Sequence, residues 1–254
     1  MRPIRKAAIL PKDIQLPAVP PPVEKISWLE LFKYPRSVAA GCLAGLSGTG
    51  ITGFLLWQVT LFVLVLHITP AQASGLVIWL SLGQIVGRFF CSWISDAMGR
   101  RASIALTCAI ASVAMSLAEY WHDLFLGTFS VFYLMIMVQQ FFGSGSYSII
   151  GPYMAEIWPS RLRASGMGLA YGAGNLGKFI GPAGVAVIAG SSNYVSPQAT
   201  IDVLIPAMNY FAAWYILGIV AVLFIGFETR GRTIEEIDAT LTAPKPAPVK
   251  SLAV

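Results

Sequence analysis

The chain has 254 residues, 56% hydrophobic against 11% charged, with a mean hydropathy of +0.69. Soluble domains carry about a quarter charged residues, so this composition excludes an ordinary soluble enzyme and points to a membrane protein. The formal net charge is +5, but the basic residues are scattered over short polar segments with no soluble module to present them, which excludes a nucleic-acid partner.

Residues 1–36 read as a cytoplasmic arm. The segment has no apolar run of signal-peptide length and carries Arg2, Arg5, Lys6, Lys12, Lys25, Lys33 and Arg36. Pro17, Pro20, Pro21 and Pro22 predict an extended middle, and Trp28 to Lys33 predicts a short interfacial helix before Pro35. A bilayer core needs about 20 mostly apolar residues per helix. Six stretches meet this within residues 37–228: Val38 to Leu66, Ala71 to Ser95, Ala102 to Ala118, Gly127 to Ile157, Ala164 to Ala189 and Val203 to Phe227. Helix follows from the need to satisfy every backbone polar group inside lipid. Residues 229–254 read as a cytoplasmic tail with a loose Pro244 to Pro248 run.

Basic residues favour the cytoplasmic side of short loops. With the N-terminus inside, the arm, Arg100, Arg101, Arg161, Arg163, Arg230, Arg232, Lys245 and Lys250 all fall inside. The predicted outer loops, His67 to Pro70, Glu119 to Asp123 and Ser191 to Asp202, carry only Glu119, Asp123 and Asp202 as firm charges. Both termini are therefore expected in the cytoplasm, with the chain integral to an inner or plasma membrane. Cys42, Cys91 and Cys108 lie in or beside spans without metal-ligand spacing and read as inert buried thiols.

Three motifs carry a family resemblance. Gly87-Arg88 through Asp96-Ala-Met-Gly99-Arg100-Arg101 resembles the cytoplasmic loop signature of the major facilitator superfamily. Glu156-Ile-Trp-Pro159-Ser-Arg161-Leu-Arg163 resembles the Glu-x-x-Pro-x-x-x-Arg element of sugar porters and organic-acid symporters. Glu228-Thr-Arg-Gly-Arg-Thr-Ile-Glu-Glu is similar to the sequence that follows the last helix of sugar porters, with Phe227 where that family has proline. Their order implies an all-α membrane fold. The six helices would form the C-terminal half of a twelve-helix transporter, built from two inverted three-helix repeats.

The resemblance implies that Asp96, Gly99, Arg100, Arg101, Glu156, Arg161, Arg163 and Glu228 form a cytoplasmic charge network that closes one state. A carboxylate there can engage a helix N-terminus and basic side chains. Arg88, about 12 Å from the inner end of its span, is assigned to the same gate. The secondary alternative is that Arg100 and Arg101 are plain topology determinants beside a glycine turn.

For substrate contacts, Lys178 lies roughly 22 Å along the helix from Arg163, near mid-bilayer, where a lysine is expensive and a functional candidate. Tyr171, Asn175 and Lys178 share one helix face at i, i+4 and i+7. Lys178 could instead cap a cavity water or a carbonyl. Gln140, Ser144 and Tyr147 share another stripe, and Thr49 and Thr52 lie on adjacent turns. Interhelical hydrogen bonding accounts for these as well. Glycines of the fifth span, with Gly168 to Gly172 and Gly177 to Gly181 in four-residue steps, predict close helix packing, and Pro182 a bend.

These observations predict secondary transport of a small solute. A small carboxylate is the first expectation and a sugar the second, because Gly48-Thr49-Gly50-Ile51-Thr52-Gly53 departs from the sugar-porter pattern of paired glutamines. No carboxylate lies deep in a span, so a proton-coupling group is expected in a missing N-terminal half, without which the chain is expected to be inactive. The expected partners are the bilayer, a small-molecule substrate, protons, and that half or a second copy. The alternative is a non-transporting, homodimeric scaffold or sensor. An enzyme is disfavoured: His67 and His122 fall in different loops without a nucleophile, metal cluster or phosphate loop, and no cofactor is implied.

Overall fold

The computed structural model describes residues 27–190, 200–232 and 234–242. A 3-10 turn at Trp28–Lys33 leads into α1 (Pro35–Gly50), where Pro35 occupies a position whose N–H would be unpaired anyway. α2 (Thr52–Leu66) follows after a break at Ile51, where the Thr52 hydroxyl donates to the Thr49 carbonyl at 2.6 Å. Glycines on both sides weaken the helix at this point. A reciprocal cap between Thr69 and Gln72 starts α3 (Pro70–Met98), and α4 (Arg100–Tyr120) begins directly after Gly99.

A two-stranded hairpin, β1 (Phe125–Leu126) and β2 (Phe129–Ser130), pairs Phe125 with Ser130. It leads into α5 (Val131–Glu156), whose N-cap is Ser130. A 3-10 turn at Ser160–Leu162 precedes α6 (Arg163–Ile188). α7 (Ile201–Val220) runs on through a π-helical turn at Ala221–Ile225, and α8 (Ile234–Thr242) ends the described chain.

The predicted spans coincide with these helices to within a few residues, with three corrections. Gly127, the expected start of the fourth span, is the hairpin turn, with φ of 62°, so the helix starts later, at Val131. The first span is two helices rather than one. Glu119, placed in an outer loop by the sequence reading, closes the last turn of α4 and is fully buried. The helix expected at Trp28 to Lys33 is of the 3-10 type. The Pro-rich arm, the Pro244 to Pro248 run and residues 191–199 lie outside the described residues.

Among the described residues, four segments are long and apolar enough to cross a membrane: Pro35–Leu66, Pro70–Met98, Arg100–Tyr120 and Ile201–Ile225. α5 and α6 have 26 residues each, about 39 Å of helix, but their apolar sequence is interrupted by Gln139, Gln140, Asn175 and Lys178.

Helix pairing has a two-fold pattern. α1 packs heavily on α6, as α5 does on α3, while α4 packs on both α5 and α7 and α1 contacts α7. Phe54, Trp57, Phe62, Phe132 and Phe211 fill one end of the bundle, and Ile104, Tyr153, Trp158 and Leu162 the other.

The α1–α6 seam is built from small residues. A methyl group at Gly45 would stand 2.6 Å from the Ala170 carbonyl oxygen, and one at Gly181 would collide with the Gly50 carbonyl. The Gly177 to Gly181 step therefore does the packing, as expected. Gly168 and Gly172 do not: they face open space. Gly181→Leu should thus destabilise the bundle by about 1–3 kcal/mol or more through overpacking against backbone. Gly172→Ala should be neutral or stabilising by up to about 1 kcal/mol. Thermal unfolding of the two variants in detergent, side by side, checks this, and equal losses would contradict the seam.

Candidate functional site

Two polar regions occupy the bundle. The first is a cavity of ≈ 180 Å³ at the α1–α2 break, closed by α3 and α5 and lined by Thr52, Gln84, Arg88, Gln140, Ser144 and Tyr147 among others. The break brings Ser47, Gly48, Ile51 and Thr52 to the wall. α3 is drawn onto α5 where Gly87 faces the Phe141 carbonyl and Gly145 faces Cys91, and this approach carries the next residue, Arg88, to the cavity rim. Arg88 Nε donates to the Ser144 hydroxyl at 2.7 Å.

Deeper in the wall, the Gln139 amide donates to the Tyr215 hydroxyl at 2.6 Å and the Gln140 amide to Gln58 at 3.4 Å. Gln139 Oε1 and Gln58 Nε2, both buried, have no partner among the described residues. Gln84 and Arg88 stand one turn apart on α3 and share a face. Among the described residues no carboxylate lines this cavity, so the Arg88 charge is uncompensated by them.

The second region is the arginine-rich end. Glu228 accepts from the backbone N–H of Arg100 (3.0 Å) and Arg101 (3.2 Å), capping the N-terminus of α4, and from the N–H of Thr229 and Arg230, both at 3.0 Å. Four donors and the α4 dipole hold this carboxylate. Gly99, with φ of 97°, makes the turn possible, and a side chain there would meet the Glu228 carboxylate. Arg100 bridges Asp96 (3.0 Å) and Glu156 (3.5 Å), Glu156 also takes the Thr229 hydroxyl, and Arg101 donates to the carbonyls of Val222 (2.8 Å) and Leu223 (2.5 Å) at the end of α7.

The expected gate residues are thus largely brought together, with two corrections. Arg88 joins the polar cavity, because α3 turns its side chain toward Ser144 on α5, while Glu156 in the gate is held by Arg100 and Thr229. Arg161 pairs with Glu30 beside the first 3-10 turn, since the Ser160–Leu162 turn points it away from Arg100. Arg163 does stand at the cluster, lining its cavity.

Of the expected substrate contacts, Thr52, Gln140, Ser144 and Tyr147 line the polar cavity. Thr49 does not; its buried hydroxyl sits between the carbonyls of Gly45 and Gly174 and serves the α1–α6 seam. Tyr171, Asn175 and Lys178 lie on an exposed face of α6, outside the cavity lining. The Tyr171 hydroxyl reaches α5 at Gly151. Lys178 has no hydrogen-bond or ion-pair partner among the described residues, so the cap on a carbonyl is not made.

The sequence reading missed Gln84, Gln58, Gln139 and Tyr215. Gln84 could have been found by its four-residue spacing from Arg88. It also missed the pair in which the amide of exposed Asn209 donates to buried Glu119 at 2.6 Å.

Residues 20–251 match the family described as Major Facilitator Superfamily. The chain belongs to the Major Facilitator Superfamily. It is therefore an integral membrane protein of a transporter family and not an enzyme. Among its relatives, the Synaptic vesicle 2-related protein of Rattus norvegicus is 26% identical over 160 residues, covering 63% of this chain and 26% of that protein. The cis,cis-muconate transport protein of Acinetobacter baylyi is 25% identical over 142 residues, 56% of this chain and 31% of that one. The niacin transporter NiaP of the same organism is 26% identical over 172 residues, 65% and 35% respectively. The chain thus spans well under half the length of these major facilitator relatives.

The two carboxylates of the charge network differ in what they hold. Glu228→Ala removes a cap with four backbone donors and should cost about 1–2 kcal/mol. Asp96→Ala removes one pair whose carboxylate is 75% exposed and should cost about 0.5 kcal/mol or less. Denaturant or thermal unfolding of both variants measures the order, and a larger loss at Asp96 would contradict the assignment.

Proposed function

We propose that this chain forms one wall of a secondary transporter for small organic carboxylates, and that it works with a second six-helix body. The observation that carries the reading is the uncompensated guanidinium of Arg88 on the wall of the polar cavity. A cation at that depth is costly in a bilayer and is a functional group by default. An anion entering the cavity would be offered charge-assisted bonds by Arg88 and neutral hydrogen bonds by Gln84, Gln140 and Tyr147. Muconate and niacin, named for two of the relatives, both carry carboxylates.

Several features support the transporter architecture. The two-fold pairing of the helices, α1 with α6 against α5 with α3, fits two three-helix repeats, and the relatives' greater length leaves room for an opposing half. On this reading α5 and α6 are the fifth and sixth rods of the half, and their polar residues face the shared cavity rather than lipid. The arginine-rich end lies in the cytoplasm, as the distribution of basic residues favours, and its Glu228 and Arg100 contacts form the closed latch. Proton coupling would then call on a carboxylate in the opposing half, because none lines this cavity.

Lys178, on the exposed face of α6, is the second cation available to a substrate. In the assembled transporter, Arg88→Gln should weaken binding of an aromatic or dicarboxylic acid by about tenfold or more, the loss of one charge-assisted bond. Lys178→Gln should weaken it less. Equilibrium binding of labelled niacin and muconate, each tested separately, gives the ranking. Unchanged affinity for a bound carboxylate in Arg88→Gln would remove the basis of the proposal, and a loss confined to Lys178→Gln would move the anion site to α6. Asp96→Asn should lower uptake by the assembly if the charge network is a gate, whereas a scaffold would be indifferent to it.

A further inference from the structure

The arginine-rich end encloses a second cavity, of ≈ 340 Å³, lined by Ser95, Asp96, Arg100, Glu156, Arg163, Thr229, Arg230 and Arg232 with a floor of Ala155, Gly231 and Ile237. We propose that this cavity is a binding site for a phosphoryl group, taken either from a phospholipid headgroup or from free phosphate.

Charge is the first ground. Arg100 is occupied by Asp96 and Glu156, and Glu228 behind it is filled by four backbone donors. That leaves Arg163, Arg230 and Arg232 around one opening, none of them with a carboxylate or hydrogen-bond acceptor for its side chain among the described residues. Three guanidinium groups at one cavity are more than a structural network needs. Left alone they repel one another, and a multivalent oxyanion removes the repulsion with bidentate bonds.

Burial is the second ground. Arg163 Nε is shut off from solvent and has no partner among the described residues, a costly state for a charged donor unless something else accepts its proton. Arg163 is also the first residue of the 26-residue α6, whose N-terminus has no side-chain cap, whereas the N-terminus of α4 is already closed by Glu228. The turn that leads into α6 is held by Asp238, which accepts from the Ser160 backbone N–H at 2.7 Å. The Thr229 and Ser95 hydroxyls are the neutral partners available to the remaining phosphoryl oxygens.

The ligand chemistry follows from count and shape. A monocarboxylate would meet one guanidinium fork and leave the others unpaired, while a tetrahedral phosphoryl group presents oxygens in several directions. Such a ligand would tie α6 and the segment after α7 to the end of α5, so it would stabilise the arrangement seen here.

The test uses the full chain purified in detergent with lipid removed, and then in nanodiscs. Unfolding temperature is followed against inorganic phosphate at constant ionic strength, with sodium chloride and sodium sulfate as controls. It is then followed in nanodiscs of a phosphate-free galactolipid with and without phosphatidylglycerol. A saturable rise with phosphate that exceeds both controls assigns the free anion. A rise only with phosphatidylglycerol assigns the lipid headgroup. In either arm Arg163→Gln should weaken binding about tenfold or more, the loss of a hydrogen bond from a charged group, and Arg163→Lys should recover part of it. Arg232→Gln, on an exposed side chain, gives the same reading if Arg163→Gln does not fold. Equal rises with chloride or sulfate, no rise with any phosphate source, or unaltered affinity in a folded Arg163→Gln or Arg232→Gln variant would each overturn the proposal.

Discussion

The close approach of α1 to α6 is the contact on which the rest of the bundle depends. Lipid supplies no hydrophobic drive between helices, so association rests on van der Waals contact and on polar groups that meet across the interface. The seam from Gly45 and Ala170 to Gly50 and Gly181 provides both: backbones near enough to touch, and the Thr49 hydroxyl between the carbonyls of Gly45 and Gly174. The glycines that permit this approach also weaken α1 at its end. The chain breaks at Ile51, Thr52 turns back to the Thr49 carbonyl, and the polar cavity opens at that break. Packing and site share one cause.

The same logic shapes α3. Gly87 allows α3 to lie against the Phe141 carbonyl and Gly145 allows it to lie against Cys91. Beyond that contact, Gln84 and Arg88 turn to the cavity, while Trp79, Leu82 and Val86 line an apolar groove with Phe129, Tyr133 and Met137. At 100° per residue these two sets fall on opposite flanks of one helix. One flank therefore suits lipid and the other an anion, and neither requires the helix to be amphipathic in the sense used for soluble proteins.

Much of this was legible in the sequence. Span length located every long helix, because twenty apolar residues bounded by charges have few other uses. The motifs located the charge network because Gly99, Glu228 and Arg100 are tied by backbone geometry close to the loops that carry them. Side-chain direction was not legible. With lipid and protein faces both apolar, the 3.6-residue period is too faint to show that Thr49 points into the seam and Thr52 into the cavity. It is equally silent on Arg88 facing α5 rather than the arginine-rich end, and on Lys178 standing outside the cavity. Depth along a helix is readable from spacing, but azimuth depends on which neighbour packs where. The burial of Glu119 was hidden for the same reason: its partner, Asn209, is 90 residues away on α7.

The two polar regions treat charge in opposite ways, and that difference has a mechanical meaning. At the arginine-rich end, Glu228 gathers donors from both the α3–α4 turn and the segment after α7, so moving one against the other breaks several charge-assisted bonds together. In the cavity, Arg88 has one hydroxyl partner and no counter-ion among the described residues. A latch must be satisfied in the state it holds, whereas a binding group must be left incomplete until its ligand arrives, since a ligand shifts an equilibrium only by its differential affinity for the two states. On the proposed reading, an anion that satisfied Arg88 in only one arrangement of the helices would have the leverage to open the latch, and α3, which carries Arg88 at one region and Asp96 at the other, is the rod through which the two would be coupled.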